Sequence, residues 1–317
     1  MLNLHLVVWM FFVGVMAIGA DVVFAQDYPG KPIRIITSGV GGNSDFDARQ
    51  IAQEISGPLG QPVIVDNRTS MLAAELVAKA PPDGYNLHVS STLWIAPLLQ
   101  KTPYEMSDFS PISMIETQAN IVIVHPSLPV KSIKELIALA KARPGALNYG
   151  SGATGGSTHL GVELFKSMAG VNIVRIQYKG SGPVIPAMIG GEVQLTIQDV
   201  GNVVPQMKSG KVRALAVTSA EPSALAPGLP TVAASGLPGF EAIGQTGIFA
   251  PAKTPAAIIK RLNQEIVRFL NRADVKERFL AFGEEVVASS PEQLAATIKS
   301  DVAKWGKLIK DAGIKVN

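Results

Sequence analysis

The sequence predicts an α/β protein of two lobes, each a mostly parallel sheet flanked by helices, with an anion-binding loop from each lobe. Three observations carry this expectation. Strand-like runs alternate with helical ones from residue 32 to about residue 250, the pattern of βα units. A β-rich run breaks twice into a glycine- and serine-rich turn at a helix start, first at Ser38-Gly39-Val40-Gly41-Gly42-Asn43-Ser44-Asp45 and again at Ser151-Gly152-Ala153-Thr154-Gly155-Gly156-Ser157-Thr158. Two extended runs, Asn120–Val124 and Gly247–Ala250, bracket the middle block, as strands crossing between lobes would.

In the first lobe Pro32–Thr37, Val63–Val65 and Leu87–Ser90 read as strands, with helices at about Phe46–Gly57 and Leu72–Ala80 between them. Lys101–Pro111 reads as loop. In the second lobe Ser132 and Glu135 form a capping box for a helix that stops at Pro144-Gly145. A helix over Ser157–Ala169 and strands over Val171–Ile176, Val193–Ile197 and Arg213–Thr218 follow. Thr254-Pro255 and Ser290-Pro291-Glu292-Gln293 open two tail helices. Their apolar stripes, including Trp305, read as packing faces. The division expected is 26–119 plus 247–317 for lobe one and 120–246 for lobe two.

Residues 1–25 read as an export signal. Leu6–Ala20 is an almost uninterrupted apolar run, and Val23-Phe24-Ala25 places small residues where cleavage near Ala25 would occur. No Lys or Arg precedes the run, so a retained anchor is the alternative, although the run is short for a spanning helix.

The chain has 317 residues, 47% of them hydrophobic, enough for two well-filled cores. Its formal charge of +3 is spread along the sequence rather than gathered into a basic patch, which argues against nucleic acid as a partner. Cysteine is absent, excluding disulfides and thiolate chemistry. An exported chain without disulfides fits a large periplasmic domain.

Enzyme motifs fail on spacing. A dinucleotide fingerprint starting at Gly39 would need glycine where Ser44 stands, and Lys179-Gly180 has the wrong order for a phosphate loop. Ser157 and His159 are two apart on a helix and diverge, and no histidines have metal-ligand spacing, so neither metal nor cofactor is expected. The two glycine loops are different. Each places free N–H groups at a helix N-terminus, where the helix dipole favours negative charge. Asp45, Ser44, Ser157 and Thr158 fit equally as helix caps or as ligand contacts. Tyr178-Lys179-Gly180 joins an aromatic hydroxyl to an ammonium at a strand–helix junction, a combination that a purely structural turn does not require.

Several segments together resemble the substrate-binding receptors of tripartite tricarboxylate transporters, the Bug family. They include YPGKPIRII at Tyr28–Ile36, GGNSD at Gly41–Asp45, AKAPPDGY at Ala78–Tyr85, LNYGSGATGGSTHLGVELFK at Leu147–Lys166, VRIQYKGSGP at Val174–Pro183 and LPTVAASGLPGFE at Leu229–Glu241. The resemblance implies a type II periplasmic-binding-protein fold, the Venus flytrap, closing on a small organic carboxylate and serving a membrane permease.

Carried over, it places ligand contacts at Gly41, Gly42, Asn43, Ser44 and Asp45, at Ser151, Thr154, Gly155, Gly156, Ser157 and Thr158, and at Tyr178, Lys179 and Gly180, with Ser91 and Thr92 completing the wall. Gln198 falls where many relatives have Asp, with Asp199 one place later, and Thr69–Ala73 is shorter than the family's glycine-rich loop. These departures bear on which ligand is bound. The alternatives are a periplasmic hydrolase of a carboxylate ester using Ser157 or Ser44, and a sensor that presents its ligand to a signalling kinase. A monomer is expected. Gly156 is expected to admit no Cβ. No aromatic cage or acid cluster is evident for a cation, although Asp45 or Asp199 could receive the ammonium of an amino-acid ligand.

Overall fold

Strand β1 (Ile33–Thr37) is buried on both faces, with Ile33 and Ile35 in one apolar layer and Ile36 in another. That two-sided burial is what a strand inside a helix-covered sheet requires. This computed structural model describes residues 28–152, 154–178 and 182–314, so the expected export signal, Lys179 and Gly180 lie outside the described residues.

From β1 the chain continues through α1 (Asn43–Leu59), β2 (Val63–Asn67), α2 (Ser70–Ala78), β3 (Asn86–Ser90), the short α3 (Ala96–Leu99) and β4 (Phe109–Gln118). One residue, Ala119, separates β4 from β5 (Asn120–Val124), which belongs to a different sheet. The second region runs α4 (Ile133–Ala142), β6 (Asn148–Ser151), α5 (Ser157–Ala169), β7 (Val174–Gln177), α6 (Val184–Ile189), β8 (Leu195–Asp199), α7 (Val200–Lys208) and β9 (Arg213–Val217). Strand β10 (Gly244–Pro251) returns to the first sheet, and α8 (Ala256–Leu270), α9 (Ala273–Phe282), β11 (Glu285–Val286) and α10 (Pro291–Asp311) complete the chain.

The sheets have orders β11-β4-β10-β3-β1-β2 and β7-β6-β8-β5-β9. The expected two-sheet α/β architecture is present, with mixed rather than mostly parallel sheets. β1 pairs parallel with β2 and β3, and β6 with β7 and β8. The strands at the crossings, β4, β5 and β10, pair antiparallel with their neighbours. β5 enters the second sheet one residue after β4 leaves the first, without the helical crossover that makes successive strands parallel.

The two crossings lie side by side. Gly244 is opposite Gln118 in the first sheet, and Asn120 is opposite Asp199 in the second. Asn120 ties them together, its Nδ2 donating to the carbonyl of Ala242 at 3.3 Å. The first-sheet strand thus begins at Gly244, three residues before the run read from sequence.

Strand β4 falls partly within the stretch expected to be loop. Its sequence, FSPISMIETQ, carries Pro111, which argues against an interior strand. The proline is tolerated because β11 pairs only with Glu116 and Thr117, leaving the Pro111 half of β4 on an open edge. The capping boxes are close to expectation. Ser290 and Gln293 cap each other reciprocally, whereas Ser132 accepts from the Glu135 N–H while Glu135 reaches Lys131 instead.

Three apolar layers hold the elements. One lies under the first sheet against α1, α8 and α9, and another backs the second sheet with α6 and α7. The largest is shared between the sheets, joining Trp94 and Phe249 to Leu160, Phe165 and, from α10, Trp305 and Leu308. Among the described residues no helix is long and apolar enough to cross a membrane.

Candidate functional site

Two helix N-termini converge on one cleft of about 290 Å³. Helix α1 begins after Gly42 and α5 after Gly156, and neither glycine supplies a side-chain cap, so the first N–H groups of both helices remain available. The cleft is lined by Gly42, Asn43 and Ser44 from the first loop, Ser91 and Thr92 after β3, and Gly155 and Ser157 from the second loop. An adjoining cleft of about 300 Å³ shares Thr92 and Gly155 and adds Thr154 and Gly156. Among the described residues expected at the site, Gly41, Asp45, Ser151, Thr158, Tyr178, Gln198 and Asp199 line neither cleft.

In the first loop Asp45 is a brace. Its carboxylate accepts from the N–H of Gly41 at 2.9 Å and from Asn67 Nδ2 at 2.8 Å, and pairs with Arg49 at 2.9 Å. Burial raises its pKa, but those three partners together outweigh burial and hold it below the ordinary carboxylate range. Gly41 has φ +86°, so it turns the chain and its N–H is committed to Asp45.

In the second loop Arg175 does the bracing. Its Nε donates to Ser151 Oγ at 2.7 Å, one terminal nitrogen to Thr154 Oγ1 at 3.1 Å and the other to the Gly152 carbonyl at 3.0 Å. Ser151 and Thr158 are buried beneath the loop. Gly155 takes the left-handed turn at φ +84°, while Gly156, at φ −65° and ψ 156°, has a conformation open to any residue. The left-handed turn of this loop is thus made at Gly155 and not at Gly156.

Tyr178 points its hydroxyl at Glu192, 3.2 Å away. Gln198 is fully buried, and Asp199 stands at the head of α7, where Asn202 Nδ2 donates to it at 3.3 Å. Burial raises the Asp199 pKa. A serine–histidine pair is not formed at Ser157, because His159 Nδ1 accepts the N–H of Gly155 at 3.1 Å. Burial pushes the His159 pKa down to about 4.

The sequence reading missed Trp94, Glu116, Gln118, Gln245, Asp301 and Trp305, all of which line the first cleft. Trp94 Nε1 donates to Asp301 at 3.2 Å, and Lys304 lies 3.7 Å from the same carboxylate. Trp305 sits on a stripe that does pack, so it serves core and cleft together. The expectation that no acid cluster faces a cation is corrected here. Glu116 enters the cleft wall and belongs to a buried set with Asp47 and Glu284, whose carboxylate oxygens lie within 4.8 Å of one another.

Such an oxygen-only set has the chemistry to hold either protons or a hard cation. Burial raises all three pKa values, to about 7 for Glu116 and about 9 for Glu284, and the charge of Glu116 adds to the effect at both Asp47 and Glu284. One signal was available in the sequence: an acid inside the apolar run of β4.

The family model described as the tripartite tricarboxylate transporter family receptor matches residues 47–314. The protein BugT of Bordetella pertussis is 35% identical over 316 residues, with 96% of each chain covered. Among solved structures, the R. palustris protein Rpa4515 with adipate has a TM-score of 0.77 at 35% identity, covering 91% of this chain and 99% of that one. MatC from Rhodopseudomonas palustris with bound malate has a TM-score of 0.73 at 28% identity, covering 89% of this chain and 100% of the other.

Proposed function

Because the chain belongs to the tripartite tricarboxylate transporter receptor family, a family of solute-binding receptors rather than enzymes, we propose that it is a periplasmic receptor capturing a small organic carboxylate and delivering it to a membrane permease of the tripartite type. The observation that carries this reading is the convergence of two uncapped helix N-termini, at Asn43 and Ser157, on one cleft. Together they offer partial positive charge and free N–H donors to an anion without needing a basic side chain. The adipate- and malate-bound relatives support the ligand class.

The proposed lobes are those read from sequence, about 26–119 plus 247–317 and 120–246, with the hinge at the paired crossings beside Ala119 and Gly244. Closure would bring the α1 and α5 loops together over the ligand. Residues 1–25 would be the signal that exports the chain. Gly42, Asn43, Ser44, Ser91, Thr92, Gly155 and Ser157 are the proposed contacts, with Asp45 and Arg175 as the braces that hold their loops.

The test is thermal-shift screening of small carboxylic acids against their matched neutral amides. A ligand at a hundred times its dissociation constant stabilises the folded state by about 2.7 kcal/mol. Acids are expected to stabilise and amides not, since a charge-assisted hydrogen bond contributes about 1.5–3 kcal/mol. Equal stabilisation by both, or by amides alone, would overturn the reading.

A further inference from the structure

We propose that the cleft is bipolar and selects a small carboxylate carrying an ammonium group at its other end, with Glu116 as the acceptor for that ammonium; this rests on the carboxylate-receptor reading. The helix N-termini at Asn43 and Ser157 form the donor side of the cleft. The acceptor side is formed by Glu116 and Gln245. Glu116 is 1% exposed, and its Oε2 has no hydrogen-bond partner; neither does Gln245 Oε1. A buried acceptor left without a donor costs free energy, so a donor-bearing ligand group gains by supplying it.

The other cleft acid is already answered. Asp301 receives Trp94 Nε1 and lies beside Lys304, whereas the charges acting around Glu116 are those of acids: the buried Asp47 from α1 and Glu284 from the turn before β11, and the half-buried Asp199 at the end of β8, with Thr246 opposite on β10. Among the described residues lining the cleft there is no Lys or Arg. A dicarboxylate would therefore have its second carboxylate facing Glu116 with no basic side chain from those residues between them. An ammonium meets the same field with attraction, and it brings three donors for the two unpartnered oxygens. The acids behind Glu116 offer no competing positive charge.

The experiment is titration calorimetry of the purified protein with three pairs of equal spacer length. These are β-alanine against succinate, 4-aminobutyrate against glutarate, and 5-aminovalerate against adipate, with butyrate as the simple monocarboxylate. The best amino-carboxylate is expected to bind at least about tenfold more tightly than its matched dicarboxylate, the margin of one charge-assisted hydrogen bond. Glu116→Gln is expected to bring that ratio close to one. Wild-type preference for the dicarboxylates overturns the bipolar reading and leaves the carboxylate receptor standing, as does an unchanged ratio in the variant. Failure of every carboxylate, butyrate included, overturns the receptor reading itself. The wild-type ratio decides the matter even if the variant does not fold.

Discussion

The Cβ that Gly155 lacks would lie 2.0 Å from Leu99 Cδ1, so the loop opening α5 meets the short helix α3 with no space for a side chain. Gly155 also has φ +84°, where an L-residue is strained. Conformation and packing both require glycine at the point where the two sheet systems approach beside the cleft.

Gly155→Ala should therefore destabilise the fold by about 1–2 kcal/mol through the backbone alone, with a further cost from displacing Leu99. Adding Leu99→Ala should recover the steric part and leave the backbone part. Gly156→Ala should cost less than Gly155→Ala, because its backbone is already extended. Urea unfolding of the four proteins measures each component, and equal losses at Gly155 and Gly156 would contradict the assignment.

Arg175→Lys should leave the fold intact and weaken ligand binding about tenfold. The guanidinium spans Ser151, Gly152 and Thr154 with three donors in a fixed fork, which an ammonium on a flexible stem does not reproduce. Each lost hydrogen bond is worth ~0.5–1.5 kcal/mol, and the second loop would no longer be pre-organised. Calorimetry together with a melting curve separates affinity from stability; undiminished affinity would show that the brace is not used in binding.

The contribution of Glu116 and Glu284 to stability should fall as pH rises from about 4.5 to about 9. Glu116 and Glu284 have folded pKa values raised by burial to about 7 and about 9, above the ordinary glutamate value of 4.5. In that window the unfolded chain releases protons that the folded chain retains, so their stabilising effect is complete below 4.5 and lost as pH passes the folded values. Glu284→Gln should raise the melting temperature at pH 9 and change it little at pH 5. Melting curves across this range check the sign, and a variant less stable at pH 9 would reverse it.

On the acid side His88 sets the opposite slope. Burial pushes its pKa down to about 4, and Nδ1 donates to the carbonyl of Ile36 at 2.8 Å, leaving Nε2 without a partner. Its neutral form stabilises the fold fully above the ordinary value of 6.5, and that contribution is lost as pH falls toward 4, on the order of 3 kcal/mol. His88→Gln should flatten this limb, as read by denaturant unfolding at pH 7, 5.5 and 4. An unchanged limb would assign acid sensitivity elsewhere.

The acceptor side of the cleft was legible only in part. An acid in the run around Glu116 was visible, but its partners Asp47 and Glu284 lie 69 and 168 positions away in the numbering, and nothing local links them. Trp305 read as packing because a helix stripe carries no information about where a neighbouring sheet ends. Pro111 hid β4 because a proline's tolerance depends on which half of a strand is left unpaired.

The sequence by itself determined the βα alternation, the two glycine loops at helix starts, the Ser132 and Ser290 caps and the family, because each is written within a few residues or in the order of short motifs. Periodicity and capping are local physics, and they place Ser157 at a helix N-terminus and start the first helix three residues after Asn43, where it begins in the structure, without reference to the rest of the chain. The tertiary structure decided which loop residues face the cleft and which only brace it. Asp45 became a brace because Asn67 and Arg49 reach it, and Gly155 became a constrained glycine because Leu99 lies against it. It also brought Asp47, Glu116 and Glu284 together in a place shielded from water, and that shielding, which no local sequence pattern encodes, raises their pKa values.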